Sequence, residues 1–247
     1  MGVLAGPWTD FRGALAFLTT LPAGGVQFRP ERMSGYFPLV GLVLGIVLVG
    51  VDWVARFLWP EPLAALVVVL VLVLLTGALH ADGLADAGDG LFSHRSREQI
   101  LAIMKDSRVG VMGVVTLAGV MALKWGAVFA LPHQERLWTL ILVPAYSRLG
   151  MLVGMRLLPY GRPEGGTGAL FCVPVPLWRM FWSAGLLVPL SMILGWQGLV
   201  MNAVFAAVCT GIVLFYSRVI GCITGDTLGA MNEILEAGLL MVMAVQI

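Results

Sequence analysis

The chain has 247 residues, of which 59% are hydrophobic before its 31 glycines are counted, and only 12% are charged. Mean hydropathy is +0.93. Soluble domains carry about twice that charged fraction, so the composition excludes one and predicts an all-α, polytopic membrane helix bundle forming a single domain over residues 1–247. Fifteen Lys and Arg against 14 Asp and Glu leave a net charge of +1, which gives nucleic acid no basic field to bind.

Residues 1–22 hold Asp10 and Arg12 in a short, broken apolar run. That pattern reads as an interfacial helix, not a cleavable signal, and it gives Asp10 no role in chemistry. Seven apolar runs follow, each near the roughly 20 residues a membrane helix needs: 36–58, 62–80, 109–131, 137–158, 179–196, 199–222 and 227–246. Trp59-Pro60-Glu61-Pro62 makes the first two a tight hairpin, because two prolines cannot continue either helix. Arg12, Arg29, Arg32, Arg95, Arg97, Lys105, Arg108, Arg162, Arg179 and Arg218 fall on one side of these spans, while the opposite loops hold little beyond Arg56 and Arg136. The positive-inside rule then places the N-terminus and the site described next at the cytoplasmic face of the cytoplasmic membrane. Arg56 and Lys124 read as snorkelling outward, whereas Arg148 and Arg156 need partners within the bundle. Cys172, Cys209 and Cys222 show no metal or disulfide spacing and read as packing residues.

Acidic residues are scarce, so their clustering is informative. In His80-Ala-Asp82-Gly83-Leu-Ala-Asp86-Ala-Gly-Asp89-Gly90, the aspartates fall at i, i+4 and i+7. On a helix they stand at about 0°, 40° and −20° around the axis. Three like charges on one stripe repel unless a cation sits between them, and hard oxygen donors point to Mg²⁺ or Mn²⁺ over zinc. A solvated loop would explain the charges but not their helical register. His80 lies on the opposite face. An amphipathic stretch from Ile100 then delivers Lys105, Asp106 and Arg108 to the mouth of the next span, Asp106 as a ligand or base and Arg108 as a phosphate clamp. Tyr160–Gly168 is a Gly-rich connector able to offer backbone N–H groups to phosphate, without the lysine of a nucleotide loop. Finally, Thr224-Gly225-Asp226 reads as the turn opening the last helix. Glu233 lies seven residues beyond Asp226, on the same face, predicting a second acidic wall; Glu236 follows.

His80–Gly90, Ile103-Met-Lys105-Asp106-Ser-Arg108-Val-Gly110, Ser147-Arg148 and Thr224-Gly225-Asp226-Thr-Leu-Gly229-Ala230 together resemble the cobalamin synthase family, as do Phe17-Leu-Thr-Thr-Leu-Pro22 and Tyr36-Phe-Pro-Leu-Val-Gly41 near the start. These motifs span most of the chain in the expected order. One departure is Cys222, where the family more often has glycine. The resemblance implies a Mg²⁺-dependent reaction at the membrane, in which adenosylcobinamide-GDP and α-ribazole (or its 5′-phosphate) give adenosylcobalamin (or its phosphate) and GMP. On this reading Asp82, Asp86 and Asp89 hold the metal, and Asp89 and Asp106 are the candidate bases. The expected substrate contacts are His80, Lys105, Arg108, Arg148, Arg162, Thr224 and Asp226. The lipid bilayer is the expected surrounding, and a homo-oligomer is compatible with it. The aspartate spacing also echoes CDP-alcohol phosphotransferases, and the intramembrane charges Asp52, Arg148 and Glu233 suggest a cation-coupled transporter as a reading from another class.

Overall fold

A computed structural model describes residues 6–24, 28–162 and 176–245, together with all their side chains except that of Arg179. Among the described residues every regular element is helical. In chain order these are α1 (Pro7–Leu18), α2 (Pro30–Met33), α3 (Phe37–Leu58), α4 (Glu61–Leu75), α5 (Leu79–Leu91), α6 (Arg97–Ile103), α7 (Val111–Ala130), α8 (His133–Leu157), α9 (Leu177–Ser191), α10 (Trp196–Val219) and α11 (Gly225–Met243), with 3₁₀ turns at Ser34–Tyr36 and Met192–Leu194.

Each of the seven expected spans contains a helix, but they are not equivalent. Pro30–Leu58, Val111–Ala130, His133–Leu157 and Trp196–Val219 are long and apolar enough to cross a membrane. Among the described residues a fifth span exists only if α4 and α5 are joined, and their axes differ by 91°. The expected run 62–80 therefore stops at Leu75. Gly77 and Ala78 both adopt positive φ, 57° and 58°, which turns the chain sharply, so α5 does not continue the direction of α4. Thr20, from the motif before α2, satisfies the broken end: its backbone N–H donates to the Leu75 carbonyl at 2.7 Å. Helix α9 has 15 residues, short for a span. Helix α11 has 19 but carries Asp226, Glu233 and Glu236, and it is the most enclosed element, packed against α5, α7, α8 and α10.

Two close crossings set the framework. A Cβ on Gly45 would stand 2.5 Å from the Ile141 Cα, and one on Gly41 would overlap the Pro144 carbonyl. Small residues four apart thus let α3 lie directly on α8. Buried Arg136 of α8 holds Asp52 of α3 through two bonds, 2.8 and 2.7 Å, so this intramembrane carboxylate is neutralised. The outer faces of α3, α7 and α10 expose Trp53, Phe57, Val111, Leu199 and Phe215, as a lipid-facing surface should.

Candidate active site

The second close crossing builds the site. A Cβ on Gly83 of α5 would lie 2.8 Å from the Asp226 carbonyl oxygen, and one on Gly229 of α11 would lie 3.0 Å from the His80 carbonyl oxygen. The backbones of the two motif helices are therefore in direct contact, and the side chains flanking each glycine converge. Gly83→Ala should push α5 from α11, costing about 1–3 kcal/mol by overpacking and lowering turnover together with apparent Tm. Unchanged values for both would show that the crossing is looser than it looks.

Thr224 opens α11 as its N-cap: it is buried, and its hydroxyl accepts from the Thr227 N–H at 3.2 Å. It therefore shapes the turn instead of facing a ligand. Asp226 follows at the rim, where Arg162 donates to it at 2.6 Å. Backbone pairing explains how Arg162 arrives there. Gly161 N–H donates to the Ile223 carbonyl and Ile223 N–H to the Pro159 carbonyl, both at 2.9 Å. Cys222, the departure from the family pattern, is buried against Gly161. The remainder of the Gly-rich connector, from Pro163 on, lies outside the described residues.

Asp82 and Asp226 line one cavity of about 140 Å³ with Phe17, Phe37, His80 and Met151. Asp86 sits one turn further along α5, half-buried. Burial, with repulsion from Asp82 and Asp226 and a smaller push from Asp89, raises its carboxyl to about 6 against the pull of Arg162. Negative charge is in excess here, as the stripe predicts.

Asp89 faces elsewhere. Its two oxygens accept from the Gly110 N–H at 2.6 Å and the Gly113 N–H at 2.7 Å. It thereby caps the positive N-terminus of α7 and ties α5 to the mouth where Arg108 stands. Asp106 is gripped by Arg108 at 2.6 Å and 3.1 Å, and hydrogen bonding from that guanidinium holds its carboxyl at about 2. A group that acidic is a poor proton acceptor at neutral pH. Lys105 and Arg108 are exposed at the rim, away from the cavity lining. Among the described residues, no group of three or more His, Cys, Asp or Glu side chains is assembled in a metal-holding arrangement.

Beneath this rim lies a polar core that the sequence only partly announced. Lys124 of α7 is 0% exposed. It donates to Glu233 at 2.7 Å and Glu236 at 2.5 Å and does not snorkel as expected, because α11 brings two carboxylates to it. Glu233 thus belongs to the core and not to a second acidic wall. Arg148 also pairs with Glu236, and Ser147 and Asn232 donate to the same residue, both at 3.2 Å. Arg148 is fully buried, so the expected substrate contact is corrected: it underlies the site. His80 is enclosed above this network, with no partner for either ring nitrogen among the described residues. The signal for Lys124 was present in its isolation as the one charge in the run 109–131, facing acids that needed a cation. With Asp52 held by Arg136 and Glu233 by Lys124, the residues suggesting a transport path are closed ion pairs.

Comparison with known proteins agrees in extent and in name. None of the solved structures matches. Chains described as adenosylcobinamide-GDP ribazoletransferase from Roseiflexus sp. (strain RS-1), Chlorobaculum tepidum and Pseudomonas putida (strain GB-1) are 38%, 38% and 39% identical to this one. Each alignment covers 94% of this chain and 87%, 93% and 96% of the respective relative. The family described as Cobalamin-5-phosphate synthase matches residues 10–244, nearly the whole chain and every motif above, and the protein belongs to that family.

Proposed function

We propose that this membrane protein transfers the adenosylcobinamide phosphate of adenosylcobinamide-GDP to α-ribazole or its 5′-phosphate, releasing GMP. The observation that carries this reading is the meeting of Asp82, Asp86 and Asp226 with Arg162 where α5 crosses α11. The relatives' shared name supplies the substrate. A ribose hydroxyl of the ribazole other than the 5′ one, which carries phosphate in the alternative acceptor, attacks the cobinamide-side phosphorus. Its oxygen forms the new ester bond, its proton is lost, the diphosphate bridge breaks, and the electron pair leaves on GMP. Arg162 and the rim cations Lys105 and Arg108 hold phosphate oxygens and favour the developing charge. The enclosed wall of Phe17, Phe37 and Met151 limits water as a competing nucleophile.

The donor set fits a hard divalent cation, Mg²⁺ or Mn²⁺: it is oxygen only, and repulsion from Asp82 and Asp226 adds to burial in raising Asp86. Of the expected ligands Asp82, Asp86 and Asp89, the first two would hold it, whereas Asp89, with both oxygens engaged by α7, braces the stripe. When bound, the cation neutralises the diphosphate and the leaving oxygens. Purified protein should release GMP only when both organic substrates are present. Excess EDTA should abolish release and Mg²⁺ restore it; full turnover in EDTA would remove the metal from this account.

The arginine asymmetry supports a site at the cytoplasmic face of the cell membrane. Single cysteines at Ser96 and Gln134 should label from opposite sides, the first from the cytoplasm. Labelling of both from one side would reverse the arrangement.

A further inference from the structure

A cavity larger than the acidic one lies beside the N-terminal helix. It encloses about 620 Å³ between the start of α1, the turn before α3 and the first turns of α9, with Asp10, Arg32, Tyr36, Leu39, Trp178 and Trp182 among its walls. That volume suits a nucleoside-sized ligand. Asp10 is 7% exposed, and its Oδ1 is buried with no donor among the described residues. A carboxylate oxygen withdrawn from water into an aromatic cavity is costly unless something brings it hydrogen-bond donors. Sequence patterning assigns this residue no role, because one aspartate in an interfacial helix looks like any solvated charge.

The cavity walls specify what the donor-bearing group should be. Trp182 and Tyr36 lie with ring centroids 6.3 Å apart at 57°, offering flat apolar surface. The carboxylate requires adjacent N–H donors on one edge, and Arg32 can serve a carbonyl acceptor. Guanine has all of these: flat faces, N1–H beside the 2-amino group, and O6 next along the same edge. Adenine presents a bare ring nitrogen where N1–H should be. A benzimidazole joined to its sugar through one nitrogen keeps only a lone pair on the other, which a carboxylate repels.

The position also fits. Asp10 and Phe17 are seven residues apart on α1, about 10 Å along its axis. Phe17 lines the acidic cavity, and Tyr36 of the large cavity is followed in the chain by Phe37 of the acidic one. A nucleoside diphosphate bound at one end reaches the other with its phosphates. We infer that the large cavity is the guanine subsite of the nucleotide-activated substrate, with Asp10 accepting from N1–H and the 2-amino group. This rests on the reading of that substrate as a GDP conjugate.

The test uses full-length protein in nanodiscs, with GDP, ADP and xanthosine diphosphate as binding probes, so it needs no turnover. Wild type should prefer GDP over ADP. Asp10→Asn can donate to the 2-oxo group of xanthine and no longer matches the 2-amino group. It should lose roughly ten- to a hundredfold in GDP affinity while gaining affinity for xanthosine diphosphate. Asp10→Ala should weaken GDP without that gain, which separates base recognition from general damage. In turnover, Asp10→Asn should raise KM for the GDP conjugate far more than it lowers kcat. Unchanged GDP preference in Asp10→Asn would overturn the inference. So would α-ribazole displacing GDP in wild type with its own affinity lowered by Asp10→Ala, since that assigns the cavity to the acceptor. A base switch seen in protein that never releases GMP would uphold the subsite while sinking the proposed reaction.

Discussion

Asp82→Asn and Asp86→Asn should each lower GMP release by roughly a hundredfold or more, the scale of losing one well-placed charge-stabilising group, without unfolding the protein. Asparagine keeps the size and one acceptor oxygen but removes the charge. In cation-free protein both variants should be as stable as wild type or more so, because each relieves repulsion within the stripe. Asp86 gives this a pH signature. Its folded carboxyl is raised to about 6 above the unfolded value, so the folded state holds its proton more tightly. Stability from this group is present at low pH and lost as pH rises through about 6; added cation should reverse that loss, and Asp86→Asn should abolish it. Asp89→Asn is expected to differ. Its oxygens carry the N–H groups of Gly110 and Gly113, so it should lose stability as well as turnover. Melting with and without Mg²⁺, alongside GMP release per folded protein, checks all three. Near-normal turnover in Asp82→Asn and Asp86→Asn would move the metal site elsewhere, and unfolding of those two would make the stripe structural.

Glu236→Gln should be the most destabilising of the conservative changes. It leaves Lys124 with Glu233 and deprives Arg148 of the carboxylate it pairs with, both cations being fully buried. Breaking a buried ion network by removing one partner costs about 3–5 kcal/mol, and here the alternative solvent for the stranded cation is lipid. Apparent Tm in detergent should fall by on the order of 10 °C, with poor accumulation in the membrane. Asp226→Asn is the contrast: it sits at the rim beside Arg162 and should lose turnover with little change in Tm. Equal stability of Glu236→Gln and wild type would mean that the network contributes little to the fold.

How much of this was legible in the sequence varies with the physics involved. The helical class followed from composition, and the α5 stripe from the i, i+4, i+7 spacing of Asp82, Asp86 and Asp89. The closeness of α5 to α11 was not readable, since Gly83 and Gly229 signal a crossing only once it is known which helices meet. Span two was overextended because residues 62–80 are uniformly apolar, and the break at Gly77-Ala78 is a backbone event that hydropathy does not register. Lys124 was misassigned for the same reason that Arg148 was only half understood. Burial of a charge depends on which helix faces it, and Glu233 and Glu236 lie more than 100 positions away from Lys124 in the chain. Asp89 was chosen for its helical register and Asp106 for its place at the mouth of a span, whereas their partners, two glycine N–H groups and Arg108, decide what each carboxylate is free to do.

The central claim is a displacement at the cobinamide-side phosphorus by the ribazole hydroxyl, and oxygen labelling tests it most directly. With α-ribazole carrying ¹⁸O at the attacking ribose hydroxyl, mass spectrometry should find the label in the phosphodiester of adenosylcobalamin, with unlabelled GMP formed in equal amount. Label in a guanosine-bearing product, or GMP formed at the same rate without ribazole, would contradict the account.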